Sequence, residues 1–142
     1  MIAYVDTSVL LRVVLSQRDR LPEWSRIRQA VTSAMTEVEC LRTLDRCLRQ
    51  GLLAPEELAA RRGLAVGLLE RMDRVDVSPA VLRRAADPFP TPLGTLDAIH
   101  LATALLWRDS QEAAPEAGLV VLTHDAQLGT AATAMGFETR GS

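Results

Sequence analysis

The opening residues Met1-Ile-Ala-Tyr-Val-Asp-Thr-Ser-Val-Leu-Leu11 decide the fold. Ile2 to Val5 is a short apolar run that reads as a buried strand. Asp6 closes it, and Thr7-Ser8 can cap a helix whose apolar body is Val9 to Leu15. A strand that hands a carboxylate to the start of a helix puts that carboxylate at the rim of an α/β sheet. Ligands of open α/β sheets bind there, outside the carboxyl ends of the strands. Asp6 would equally suit the positive end of the following helix dipole with no chemistry at all. On this stretch alone both readings stand.

Outward from that unit, strand and helix signals alternate. The first helix is expected to end near Gln17 or Arg18, and Leu21-Pro22-Glu23 starts a short second one with Pro in its first turn. Ala30 to Ser33 is a brief strand, and Thr36-Glu-Val-Glu39 opens a helix that Gly51 stops. Its apolar stripe is Cys40, Leu41, Leu44, Cys47 and Leu48. Pro55-Glu56-Glu57 begins a helix reaching about Met72. Arg74 to Val77 reads as a third strand and Pro79 to Ala86 as a short helix. The prolines of Asp87-Pro-Phe-Pro-Thr-Pro92 impose a rigid loop. Leu96 to Trp107 is apolar nearly all round, which predicts a buried central helix. Residues Glu112 to Gly118 are expected to be a loop, Leu119 to Leu122 a parallel strand, Asp125 to Met135 a helix, and Phe137 to Thr139 an edge strand. Strands alternating with helices predict one domain, residues 1–142, with a mostly parallel sheet covered on both faces.

Composition narrows the class. A chain of 142 residues that is 48% hydrophobic and 24% charged is a folded globular protein. Only 4% is aromatic, so the core must be built from Leu, Val and Ala. No apolar run approaches membrane-spanning length and the start lacks a signal-peptide pattern, so a cytoplasmic protein is expected. Cys40 and Cys47 lie on one helical pattern, pointing the same way, and read as reduced core residues. All 16 basic residues are Arg. A net charge of -2 gives no general attraction for nucleic acid, so any such binding must be local.

Four acidic residues occupy comparable positions. Asp6 follows the first strand, Asp125 follows the strand Leu119 to Leu122, and Glu39 and Asp97 lie in first turns of helices. Each has a structural explanation: Glu39 would complete a Thr36-x-x-Glu39 capping box, and Asp97 and Asp125 suit helix dipoles. Together they would converge at one edge of one sheet, where mutual repulsion is costly without a cation. Hard cations take oxygen ligands, one or two carboxylates with water and phosphate oxygens completing the shell. Carboxylates without a Cys or His set point to Mg²⁺ or Mn²⁺ in preference to zinc.

These residues also carry a family resemblance. Val5-Asp-Thr-Ser8, Thr32-Ser-Ala-Met-Thr-Glu-Val-Glu39, Leu96-Asp-Ala-Ile-His-Leu-Ala-Thr-Ala104 and Thr123-His-Asp125 resemble the successive blocks of PIN-domain ribonucleases. More narrowly, they are similar to the VapC-type toxins of bacterial toxin–antitoxin pairs. The resemblance runs from Ile2 to about Gly136, while Gly51 to Pro92 matches only in helical character. It implies a PIN-like three-layer α/β/α sandwich around a five-stranded sheet. It implies metal binding by Asp6, Glu39, Asp97 and Asp125, with Thr7 or Ser8 supplying a hydroxyl that orients the first carboxylate or a water. Glu37 competes with Glu39 for the second position, and spacing from Ser33 favours Glu39. The expected activity is Mg²⁺-dependent endoribonuclease cleavage by a metal-activated water, leaving a 5′-phosphate and a 3′-hydroxyl. A VapB-like antitoxin covering the site, and a homodimer, are implied by the resemblance alone.

Other candidates have plainer alternatives. His100 can share a face with Asp97, but a lone His in an Ala/Leu helix is commonly a satisfied core residue. His124 adjoins Asp125 and is either a substrate contact or a solvated loop residue. Arg42, Arg46 and Arg49 form a stripe on the helix of Glu39, available for RNA phosphates or for pairing with Glu39 and Asp45. Trp24 and Trp107 read as packing residues. Two rival functions remain: another Mg²⁺-dependent phosphoryl-transfer enzyme such as a phosphatase, and a non-enzymatic PIN-like binding module. The lack of a Gly-rich phosphate loop or positioned Lys weighs against the first, and the intact acidic quartet against the second.

Overall fold

The computed structural model describes residues 1–111 and 118–142. Within them, β1 (Ile2–Val5), β2 (Gln29–Ser33), β3 (Asp73–Val75), β4 (Leu119–Leu122) and β5 (Glu138–Arg140) form one sheet in the order β3-β2-β1-β4-β5. Every pairing is parallel, with Tyr4 at the centre opposite Val31 on one side and Val121 on the other. The helices are α1 (Thr7–Val14), α2 (Met35–Arg49), α3 (Pro55–Leu69), α4 (Pro79–Ala86), α5 (Thr95–Ser110) and α6 (Ala126–Ala134). The chain winds outward from β1 to β3, then returns to the other side of β1 for β4 and β5. The switch point therefore lies between β1 and β4, directly above Asp6 and Thr123.

Alternation along the strands builds two apolar layers. Ala3, Val5, Val120 and Leu122 face α1, α2 and α3, burying Val9, Leu10, Val14, Cys40, Leu44 and Leu69. Tyr4, Val31, Leu119 and Val121 face α5 and α6, packing on Leu101, Leu105, Leu128 and Phe137. This is the expected three-layer sandwich with helices on both faces. Trp24 and Trp107 pack at the margins of the two layers. Both cysteines are free, and burial followed by the charge of Glu39 pushes the Cys40 thiol up to about 11, so it stays an inert core group. Among the described residues no helix is long and apolar enough to cross a membrane.

Several boundaries differ from expectation for identifiable reasons. The first helix stops at Val14, because Ser16 takes a left-handed conformation, φ 53°, and its N–H bonds Val13 O at 3.0 Å while Gln17 N–H bonds Arg12 O at 2.9 Å. That is a Schellman ending with Ser where Gly is usual. Gly51 ends α2 in the same way at φ 73°, as its sequence position predicts. The Thr36–Glu39 capping box does not form: Thr36 lies inside α2, fully buried, with its hydroxyl on Thr32 Oγ1 at 2.8 Å. The third strand is shifted to Asp73–Val75 and the last to Glu138–Arg140. Helix α5 is buried from Ala98 to Leu105, but Leu96 at its start is exposed. Most of the loop expected over Glu112 to Gly118 lies outside the described residues.

Candidate active site

Asp6 is the N-cap of α1 and is 5% exposed. Its Oδ2 accepts hydrogen bonds from Ser8 N and Oγ and from Thr123 Oγ1 at 2.9 Å. Its Oδ1 has only the ring nitrogen of His100 nearby, 3.5 Å away. The backbone N–H of Asp6 is stitched to Leu122 O at 3.0 Å, so the turn after β1 is fixed to the end of β4. Ser8 Oγ in turn accepts from His124 N, and Thr123 Oγ1 accepts from Asp125 N, both at 2.9 Å.

Glu39 reaches the same place from the first half of α2. Its Oε1 accepts from Thr7 Oγ1 at 2.8 Å and from His100 Nε2 at 2.7 Å. Burial alone would raise its pKa, but the hydrogen bond and charge of His100 and the Thr7 hydroxyl hold it below the usual value. His100 shows the converse. Burial disfavours its charged form, yet the bond to Glu39 and the charges of Asp6, Glu39 and Asp97 raise its pKa. Glu37, the rival on the same turn, pairs with Arg74 of β3 at 3.1 Å. Thr7 and Ser8 thus serve different carboxylates, one apiece.

Asp97 lies in the first turn of α5, half-buried. Burial first, then the charges of Asp125, Asp6 and Glu39, push its carboxyl up to about 6, with His100 opposing. Asp125 caps α6 through Oδ1, which accepts from Leu128 N at 2.9 Å. Its position as N-cap and its effect on Asp97 are compatible roles. Asp6 and Glu39 thus meet at His100 Nε2, and the charges of Asp125, Asp6 and Glu39 reach Asp97.

Among the described residues, no three His, Cys, Asp or Glu side chains stand close enough to enclose a metal ion as they are. The donor chemistry nevertheless fits a hard cation. Among the described residues, Asp6, Glu39 and Asp125 each accept hydrogen bonds on one carboxylate oxygen and none on the other, although His100 Nε2 stands 3.5 Å from Asp6 Oδ1. Burial first, and then the neighbouring carboxylates, disfavour the charged form of Asp97, a setting that a cation would relieve. That pattern suits Mg²⁺, which takes one or two carboxylates and completes its shell with water and phosphate oxygens.

Sequence reasoning missed Thr123 and Tyr4. Thr123 is fully buried and links Asp6 to the backbone of Asp125. A Thr two residues before a helix-capping Asp was the available signal. Tyr4, read only as strand filling, bonds His100 Nδ1 through its hydroxyl at 2.8 Å. His124 places Nδ1 3.1 Å from Gly141 O. In the Arg stripe, Arg49 pairs with Asp45 at 3.0 Å, whereas Arg42 and Arg46 are exposed and form no ion pair among the described residues.

The all-parallel five-stranded sheet with helices on both faces is a fold that known proteins share. Residues 3–132 match the PIN domain family, and the chain belongs to it. It is 38% identical over 138 residues to Ribonuclease VapC35 of Mycobacterium tuberculosis, covering 93% of this chain and 90% of that protein. Among solved structures, VapBC2 from Rickettsia felis, bound to a DNA fragment from its promoter, superposes with a TM-score of 0.63 at 10% identity, covering 99% of this chain and 98% of that one. A toxin-antitoxin complex from Klebsiella pneumoniae gives 0.59 at 19% identity, over 87% and 86% of the two chains. At such identities these structures speak for the fold.

Proposed function

We propose that this protein is a divalent-metal-dependent endoribonuclease, with Mg²⁺ as its ion and Mn²⁺ as a substitute, acting as the toxin of a VapBC-type pair. The observation that carries the reading is the meeting of Asp6 and Glu39, from separate elements, at one buried histidine, with His100 Nε2 2.7 Å from Glu39 Oε1 and 3.5 Å from Asp6 Oδ1; burial first, then the charges of Asp125, Asp6 and Glu39, push the Asp97 carboxyl up to about 6. The ribonuclease name of a relative that spans nearly the whole chain supports the substrate class.

In this reading Asp6, Glu39, Asp97 and Asp125 hold the cation between them. The cation would neutralise charge on the scissile phosphate and make a water acidic enough to attack it. Ser8 and Thr123 orient Asp6, and Thr7 and His100 orient Glu39, each through one carboxylate oxygen. Asp97, which has no hydrogen-bond partner among the described residues, and Asp125 supply the remaining negative charge. Arg42 and Arg46, one and two turns beyond Glu39 on α2, are placed to hold phosphates of the bound strand. In-line attack leaves a 5′-phosphate and a 3′-hydroxyl. The same reading brings a VapB-like antitoxin, a homodimer and a cytoplasmic setting. Exposed Val38, Leu82 and Leu96 offer apolar surface for such partners.

Purified protein incubated with total RNA, in Mg²⁺ and in EDTA, tests the proposal once the new ends are mapped. Internal cuts bearing 5′-phosphates in Mg²⁺ alone are expected. Intact RNA in Mg²⁺ together with hydrolysis of a small phosphomonoester would replace the ribonuclease by a phosphatase.

A further inference from the structure

One polar chain behind the site has no part in binding RNA or enclosing the cation. Tyr4 sits in the centre of the sheet, 1% exposed, and its side chain points into the layer under α5. Its hydroxyl meets His100 Nδ1 at 2.8 Å, and the two rings meet edge to face at 75° with centroids 5.9 Å apart. His100 is itself 1% exposed and offers Nε2 to Glu39 Oε1 at 2.7 Å. An ionised carboxylate only accepts hydrogen bonds, so Nε2 must carry the hydrogen. Nδ1 is buried beyond the reach of solvent, and the Tyr4 hydroxyl is its partner: it donates to the lone pair of a neutral ring and accepts from the Nδ1–H of a charged one. Without that partner each protonation state leaves a buried group unmatched: hydrogen on Nε2 alone orphans the Nδ1 lone pair, hydrogen on both orphans Nδ1–H, and hydrogen on Nδ1 alone turns a lone pair toward the Glu39 carboxylate.

We propose that Tyr4 and His100 are positioning residues for the nuclease centre: the Tyr4 hydroxyl fixes the ring of His100 so that Nε2–H holds Glu39 with its second oxygen turned to the cation. The inference rests on Glu39 belonging to the cation site. Outer-shell partners that fix a ligand in this way are commonly worth ten-fold or more in metal affinity or activity. Tyr4→Phe is the sharp probe, because it removes one oxygen and keeps the buried ring.

The test is a double-mutant cycle of Tyr4→Phe and His100→Gln, read by Mn²⁺ titration in electron paramagnetic resonance and by RNA cleavage. The side-chain amide of Gln can donate to Glu39 without help from Tyr4. Tyr4→Phe in the wild-type background should weaken Mn²⁺ binding about ten-fold and lower kcat by a similar factor, with KM for RNA unchanged. In the His100→Gln background the same change should cost less than about two-fold. Melting in EDTA shows whether each variant is folded. If His100→Gln does not fold, the ring ¹⁵N shifts of His100 in wild type and Tyr4→Phe decide, and identical shifts would overturn the proposal. Equal losses from Tyr4→Phe in both backgrounds, or no loss in either, would also overturn it. Asp97→Asn, assayed alongside, keeps the two claims separate. A dead Asp97→Asn beside an unimpaired Tyr4→Phe sinks the positioning role alone, whereas a fully active Asp97→Asn sinks the cation site.

Discussion

The two halves of the acidic centre are held very differently. Asp6 and Glu39 are each gripped on one oxygen by side-chain donors from other parts of the chain: Thr123 for the first, Thr7 and His100 for the second. By contrast, among the described residues Asp125 bonds only its own helix N-terminus, and Asp97 has no hydrogen-bond partner. The contrast appears in their acidity, since Glu39 is held low while Asp97 is pushed up to about 6. Hydrogen bonds to the charged form and repulsion between charged forms act in opposite directions, and here they are separated in space. One half is held by hydrogen bonds; in the other, burial and then neighbouring charge disfavour the ionised form.

Removing charge from the gripped half should have the largest effect. Asp6→Asn keeps the shape and loses a carboxylate at the switch point, so RNA cleavage should fall by at least about 100-fold while the circular dichroism spectrum stays native. A folded Asp6→Asn protein that cuts RNA at the wild-type rate would remove Asp6 from the centre.

Loosening the grip without touching charge should cost less. Thr123→Val replaces the fully buried hydroxyl that donates to Asp6 and accepts from Asp125 N–H. Cleavage is expected to drop about ten-fold. Stability should drop by about 1–3 kcal/mol, because the buried Asp6 carboxylate loses a donor and the part-buried Asp125 N–H its acceptor. Urea titration and cleavage rates together check this, and loss of stability with full activity would assign Thr123 to the fold alone.

The weakest effect lies outside both halves. Replacing Arg42 and Arg46 with Ala should weaken RNA binding several-fold. It should also flatten the dependence on salt by about 0.7 log–log units per lost phosphate contact on a single strand. A slope equal to the wild type's would return the stripe to the solvated face.

How much of this was readable in advance follows from where each signal resides. The central strands β1 and β4 are continuous apolar runs, buried on both faces, and their parallel sheet was legible. The edge strands β3 and β5 are three residues each and largely exposed, so no apolar run marked their limits. Helix α1 overran in the reading because a Ser stands where Gly usually announces a left-handed ending. Thr36 looked like half of a capping box, but its buried pairing with Thr32 displaces that local pattern. Asp6, Asp97 and Asp125 were visible as carboxylates at element ends. Of the hydroxyls on Asp6, Ser8 stood two residues away in the sequence, but Thr123 did not, since the Thr123–Asp6 bond joins residues 117 positions apart and no local spacing encodes it.

The central claim is that four carboxylates share one cation, and melting curves of wild type and Asp97→Asn test it most directly. In EDTA the folded wild type keeps a proton on Asp97 that the unfolded chain has already released between about pH 4 and pH 6. Stability therefore falls as pH rises through that window, and above it the full cost of ionising Asp97 beside its neighbours remains. Asn at that position is spared this loss. Metal-free Asp97→Asn should thus match the wild type near pH 4 and melt a few degrees higher at pH 7.5, worth about 1 kcal/mol after solvent screening. Added Mg²⁺ should raise the wild-type melting temperature by mass action and the mutant's much less. A mutant that melts lower than wild type in EDTA, together with no Mg²⁺ effect on wild type, would show four separate helix-end carboxylates and contradict the shared site.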